Sequence, residues 1–423
     1  MTWSRDTEVR AHGGEVEHFV SSEFAGVGVR VIADGRQGMA WAGVLDDAAL
    51  RECLAEARDN AAFGTVDPHA GLAEPDGVAP VELRLHDDRL ASVPTEHKID
   101  LAIELERLVT AGDRRMLGVE SADYADSHSV GAIASSTGVR ACGSETSAYV
   151  GAYALAGAGD EVTTGFGFSV GRSAEDLDLE VAAADAVQRA TRMLGAQKVD
   201  GRRLTVVFDP YVTSQFLGLV AEMLSGEAVL RGRSPFADRV GERVAAEGVT
   251  LLDDAVDPAA LTASDVDGEG LACRRVPLVE DGRLVGYLHN AYTGRATGAA
   301  STGSAQRAGH RGTPGVGPHV AKLLPGTASH DEVLARVGDG LLVHELSGLH
   351  SGVNPVSGDL SVGVEGVLLR GGEPAEPVRE VTIGSTIQRM LAQVVAVGAD
   401  LTYFPWESTG VTLAIGDVQL SGR

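Results

Sequence analysis

Apolar positions in the first part of the chain alternate with polar ones. Val27, Val29 and Val31 fall on one face of a run bounded by Gly35 and Gly38, so residues 7–45 are predicted to be strands. At Asp46 the period changes. Ala49, Leu50, Cys53, Leu54 and Ala57 repeat at helical spacing to about Ala62, with Asp46 or Asp47 as the N-cap. Residues 64–88 are rich in Pro, Asp and Gly and predict a long loop. A second helix is predicted over Glu96–Ala111, and strands over Gly118–Tyr124, Val130–Ser135 and Ser147–Ala156. A third helix is expected from Ser173 to Leu194. The strand–bend–strand rhythm implies one curved, mainly antiparallel sheet.

The polar stretch 195–203, with two glycines, marks the main boundary. It separates an N-terminal α+β domain, residues 1–198, from a β-rich C-terminal α+β domain, residues 199–423. In the second domain, Leu204–Phe208 predicts a buried strand, followed by a helix from Thr213 to about Leu224. Strands are predicted at Val249–Leu252, Leu284–His289 and Gly410–Ile415, and a helix over Thr386–Val397. Residues 294–317 are so rich in Gly, Ala, Ser and Thr that they predict a flexible loop or lid. Between Gly338 and Gly384, short apolar runs alternate with glycine bends, a pattern of β-hairpins. The fold class is therefore α+β.

The 423 residues carry 60 acidic and 35 basic side chains, a net charge of −25. A chain so acidic repels polyanions, which argues against nucleic-acid binding. No apolar run reaches membrane-spanning length, and the polar N-terminus lacks a signal-peptide core. Three scattered cysteines with no C-x-x-C spacing point to a reducing compartment, so a cytoplasmic location is expected.

Candidate chemistry is sparse. His344-Glu345 and His350 suggest a metal motif, but the histidines are six positions apart, about 120° around a helix. Gly348 lies between them, and a third ligand is lacking. Glu222 and Glu227, on or just after the Thr213 helix, have no adjacent histidine and suit a solvated face. Arg231, Arg233, Arg239 and Arg243 form a basic loop that could meet a carboxylate or simply face solvent. Gly298–Gly303 has the glycine spacing of a phosphate loop, but Ser304 stands where lysine is required. Ser301 and Thr302, near Tyr292 and Arg295, could clamp a peptide backbone. Cys53 and Cys142 suit core positions.

Several blocks resemble the TldD/PmbA family, named for a modulator of DNA gyrase. They are Asp267–Gly270 with the following strand, Tyr292–Gly303, Gly340–Gly348, Gly352–Ser361, and Pro377–Ile383. A weaker likeness runs through Gly14–Glu17 and the first domain. TldD-type members carry an H-E-x-x-x-H zinc helix and a cysteine ligand near the C-terminus. TldE/PmbA-type members lack both and pair with a TldD-type chain into a soluble zinc metallopeptidase. Here the zinc helix should fall in Phe216–Ala228, which has no histidine, and Phe404–Thr412 has no cysteine. The chain thus resembles the TldE/PmbA branch.

The resemblance implies a heterodimer with a TldD-type metallopeptidase subunit, zinc in that partner, none in this chain, and an extended peptide as substrate. His344-Glu345 falls where the family often has threonine-glutamate, and residues 338–383 correspond to the sheet lining the family's cleft. Substrate-cleft candidates on these blocks are Tyr292, Arg295, Ser301, Thr302, His344, Glu345, Asn354 and Asp359. Family members usually begin with a helix, whereas here the first residues already have strand character. The loop's Arg307, His310 and Arg311 also depart from the family pattern, which implies a different substrate preference. Two rival readings remain: a non-hydrolytic peptide-binding scaffold, and an autonomous metalloenzyme using His344 and His350.

Overall fold

The alternation at the start of the chain becomes a sheet in which residues 2–12 pair with 15–26 and residues 27–33 pair with 36–42. In the computed structural model, which describes residues 1–422, β1 (Thr2–His12), β2 (Glu15–Ala33) and β3 (Arg36–Ala42) precede α1 (Asp47–Phe63) and α2 (Thr95–Ala111). Then come β4 (Met116–Ala134), β5 (Arg140–Ala158), β6 (Glu161–Gly171) and α3 (Leu179–Arg192). The six strands form one curled antiparallel sheet in the order β3-β2-β1-β4-β5-β6. Asp46 and Asp178 cap α1 and α3, accepting from the amides of Ala49 and Val181. Helices α2 and α3 bury Ala102, Leu105, Val109, Ala182, Ala186 and Ala190 against Val9, Tyr124, Val150 and Ala152.

Two predictions are corrected here. The two strands expected at 118–124 and 130–135 are the single strand β4. Its polar middle, Asp126 to Ser129, stays extended because β1 and β5 pair with it on both sides. The helix expected from Ser173 begins at Leu179, since Ala174–Asp176 forms a separate 3₁₀ turn.

The chain divides into two compact units. The first comprises Met1–Leu194 together with Gly268–Leu271 and Arg307–Pro314, and the second the remaining segments. The second unit opens with β7 (Arg202–Phe208), α4 (Pro210–Met223) and α5 (Gly226–Leu230). Next come β8 (Leu251–Asp254), β9 (Arg275–Glu280), β10 (Arg283–Leu284), α6 (Ala291–Thr297), β11 (Ala305–Gln306), β12 (Gly315–Val316) and β13 (Ala321–Leu323). It ends with α7 (His330–Val337), β14 (Gly340–Ser347), α8 (Leu349–Gly352), β15 (Asp359–Arg370), β16 (Glu373–Thr386), α9 (Ile387–Ala392), β17 (Val394–Val397) and β18 (Leu413–Ser421).

Its main sheet runs β16-β15-β14-β7-β18-β17, with β16 also pairing with β18. The β7–β14 pair is parallel and the other pairs are antiparallel. A smaller sheet has the order β10-β9-β8-β13. Phe208, Phe216, Leu217, Leu341, Val343 and Leu413 lie in the core between the main sheet and α4.

Further corrections fall in this unit. The predicted strand 284–289 is regular only over Arg283–Leu284, and the predicted helix 386–397 ends at Ala392 and gives way to β17. The stretch 294–317 contains α6, β11 and β12, with Ser304, Ala305 and His310 buried. Its small side chains serve close packing: a Cβ on Gly303 would lie 2.4 Å from the Ala272 carbonyl oxygen. Among the described residues, no helix is long and apolar enough to cross a membrane.

Candidate functional site

Helix α4 starts where β7 ends. Asp209 accepts from the Val212 amide at 2.8 Å through one carboxylate oxygen. Pro210 occupies the first turn, where its missing N–H costs nothing. The other Asp209 oxygen lies 3.1 Å from His344 Nδ1, which ties the helix start to β14. Val212, Phe216, Leu217, Val220 and Met223 face the core. Tyr211, Ser214, Gln215, Gly218 and Glu222 recur at helical spacing on another face and line a cavity of about 560 Å³.

The rest of the lining comes from two connections. Trp406, Glu407 and Ser408 belong to the segment before β18, and Gln306, Gly317 and Pro318 flank the β11–β12 pair. Hydrogen bonds fix these walls. Ser408 Oγ donates to the Ser214 carbonyl at 2.8 Å, and Trp406 Nε1 to Ser214 Oγ at 3.1 Å. Gln306 Nε2 donates to the Pro318 carbonyl at 2.8 Å, and Gln215 Nε2 to the Tyr211 hydroxyl at 3.2 Å. The Trp406 ring stacks on Phe404 at 4.9 Å and meets Tyr211 edge-on at 5.8 Å. The 404–408 segment lies beside β13, with the Ala321 amide donating to the Glu407 carbonyl at 2.8 Å.

The lining contains two carboxylates, Glu222 and Glu407, and no lysine, arginine or histidine. Zinc takes imidazole, thiolate and carboxylate donors in a closed tetrahedral or open three-ligand set. A wall with two separate carboxylates, one from α4 and one from the 404–408 segment, and otherwise neutral oxygen and amide groups does not fit that ion. Among the described residues, no three His, Cys, Asp or Glu side chains gather as a metal site.

A second polar cluster is buried in the same unit. His319 Nε2 lies 3.6 Å from Cys273 Sγ and its Nδ1 lies 3.9 Å from Asp253 Oδ2. The other Asp253 oxygen accepts from the amides of His319 and Val320 at 2.9 and 2.7 Å. Burial pushes the Cys273 thiol up despite the imidazole beside it.

The residues picked from sequence lie on several elements. Tyr292 and Arg295 are exposed on α6. Thr302 Oγ1 accepts from the His289 amide at 2.8 Å, and Ser301 Oγ donates to the His289 carbonyl at 3.3 Å, so both fasten their loop to that backbone. Glu345 pairs in register with Glu365 across β14 and β15. Burial first, then the Glu345 charge, raises the Glu365 carboxyl. Asn354 accepts from the Val356 amide at 2.9 Å and Asp359 from Ser357 Oγ at 2.6 Å, both within one turn. His350 lies on α8, apart from the strand that carries His344. None of these residues lines the cavity. In the basic loop, Arg231 pairs with Glu227 and Arg239 with Glu242. Sequence reasoning missed Tyr211, Ser214 and Gln215, although a polar stripe at helical spacing inside an apolar helix was the available signal.

Residues 1–61 match the PmbA/TldA metallopeptidase domain 1, residues 88–194 the PmbA/TldA metallopeptidase central domain, and residues 201–422 the PmbA/TldA metallopeptidase C-terminal domain. The chain is 26% identical to Metalloprotease PmbA of Escherichia coli O157:H7 over 389 residues, covering 92% of this chain and 84% of that protein. It is 25% identical to the Metalloprotease PmbA homolog of Haemophilus influenzae over 417 residues, covering 98% and 90%. Its fold matches the crystal structure of TldE from Thermococcus kodakarensis with a TM-score of 0.91 at 23% identity, covering 100% of this chain and 95% of that one. With family matches over residues 1–61, 88–194 and 201–422, this chain belongs to the PmbA/TldD family of metallopeptidase-like proteins.

Proposed function

We propose that this chain is the non-metal subunit of a heteromeric TldD/TldE-type zinc metallopeptidase that acts on unfolded peptides in the cytoplasm. The observation that carries the reading is the chemistry of the α4 wall. The stretch Phe216–Ala228, where the family's zinc helix would fall, has no histidine, and its residues on the cavity are Gly218 and Glu222. The metal and the general base therefore belong to a TldD-type partner. This chain's part is to bind and orient the peptide and to keep water from it. An extended backbone can add to an exposed strand edge, which makes binding tolerant of sequence yet dependent on an unfolded substrate.

The test compares the purified chain, alone and with its TldD-type partner, on an unstructured peptide with zinc present. Chelator-sensitive cleavage is expected only in the mixture. Robust chelator-sensitive cleavage by the chain alone would overturn the proposal. So would a stoichiometric zinc ion lost on His344→Ala or His350→Ala.

A further inference from the structure

The cavity beside α4 combines two features that favour one kind of ligand. The first is its charge. Glu222, from α4, and Glu407, from the segment before β18, both line the cavity, and no basic side chain does. Both carboxylates are exposed, and neither side chain takes part in an ion pair or hydrogen bond among the described residues. The second is its aromatic wall. Phe404 covers one face of the Trp406 indole, and Tyr211 stands edge-on to the same ring. Trp406 Nε1 is held by Ser214 and the Tyr211 hydroxyl by Gln215, so both rings are fixed before any ligand arrives.

A ring face attracts a cation through its quadrupole, most strongly for tryptophan, and adjacent carboxylates add a charge that a neutral or acidic group cannot use. We infer that this cavity is a specificity pocket for a basic side chain, arginine or lysine, of the bound peptide. The inference rests on the reading of the chain as a peptide-binding subunit and goes beyond it by naming the side chain selected. About 560 Å³ is ample for a guanidinium on its three-carbon stem, and Gly218 adds no side chain to the helix wall. The amide groups of Gln215 and Gln306 lie on the same lining and supply further polar contacts for a planar guanidinium.

The test is calorimetric titration of the full-length chain, without partner, using capped Gly/Ser decapeptides with a central Arg, Lys, Leu or Glu. The Arg and Lys peptides should bind about tenfold more tightly than the Leu peptide, and the Glu peptide should bind most weakly. Glu222→Gln and Glu407→Gln keep side-chain shape and should each reduce the Arg preference about threefold or more, leaving the Leu peptide unchanged. Trp406→Leu should weaken Arg binding and Trp406→Phe should restore most of it. Raising the salt concentration should erode the preference. Equal binding of all four peptides, no binding of any, or Glu→Gln variants that behave like wild type would overturn the inference. Agmatine matching the Arg peptide would assign the cavity to small amines and also overturn it.

The peptidase reading stands or falls separately. Partner-dependent cleavage without any Arg preference would sink the pocket alone. Arg-selective binding without partner-dependent cleavage would sink the subunit assignment alone.

Discussion

His319 is 6% exposed, and burial on its own would drive its proton off. Asp253 and Cys273 outweigh that and hold its pKa up to about 10. At 3.9 Å the Asp253 contact is an ion pair rather than a hydrogen bond. An unfolded histidine titrates near 6.5, so between about pH 6.5 and 10 the folded chain holds a proton that the unfolded chain has released. The stabilisation is complete below that window and disappears as pH rises through it, and the raised Cys273 thiol acts in the same direction. The urea midpoint of the wild type should therefore fall between pH 6.5 and 10. His319→Gln should be less stable at pH 6.5 and show a shallower fall, and parallel pH profiles would show that the charged ring does not support the fold. This cluster was not legible in the sequence because its members lie at positions 253, 273 and 319 and share no short spacing. His344-Glu345 drew attention by adjacency, yet His344 faces Asp209, 135 positions away, at the start of α4.

Packing between elements depends on small residues that a pattern reading passes over. On β6, a Cβ at Gly167 would sit 2.0 Å from the Ala182 carbonyl oxygen, and one at Gly165 would sit 2.2 Å from the Ala190 amide nitrogen. Ala182, Ala186 and Ala190 form the matching stripe on α3, so helix and strand meet almost backbone to backbone. Gly167→Val must push α3 off the sheet and should cost about 1–3 kcal/mol or more in chemical denaturation. Gly131→Ala on β4 meets nothing within 4 Å and should be nearly neutral. Equal effects of the two would show that the helix yields freely. The alanine periodicity of α3 was legible, and so were α1, α2, α4 and β7, because each has a strong period or a capping residue. The unity of β4 was not, since its polar middle is held extended by partners on both sides. Nor was the change from α9 to β17, where Val394–Val397 continues an apolar run but pairs with β18.

At the scale of the molecule, the order of the chain and the order of its compact units differ. Composition places a linker in residues 195–203, and one break between the compact units lies after Leu194. The return of 268–271 and 307–314 to the first unit has no signal in the sequence, because each is a short polar or glycine-rich insert in the middle of the second. The receiving surface leaves a trace in the sequence, since Gly26 and Gly28 lie two apart inside β2. A Cβ on Gly26 would lie 2.5 Å from His310 Nε2, and one on Gly28 would lie 1.8 Å from the His310 carbonyl oxygen. Thr2 Oγ1 lies 3.2 Å from His310 Nδ1, and the Arg311 guanidinium lies 3.9 Å over Trp41. Glu269 meets Arg30 at 3.5 Å with both side chains largely buried. A fragment comprising residues 1–194 retains the α2–α3 core but loses all of these contacts. It uncovers Phe24, and the Arg30 guanidinium loses the carboxylate of Glu269. The fragment should fold yet unfold at a lower urea concentration than the first unit does in the intact chain, by about 1–3 kcal/mol. A synthetic 305–316 peptide added in trans should recover part of the difference, and the same peptide carrying His310→Ala and Arg311→Ala should recover less. If the fragment and the intact chain share one midpoint for the first unit, the two inserted segments ride on a sheet that is complete without them.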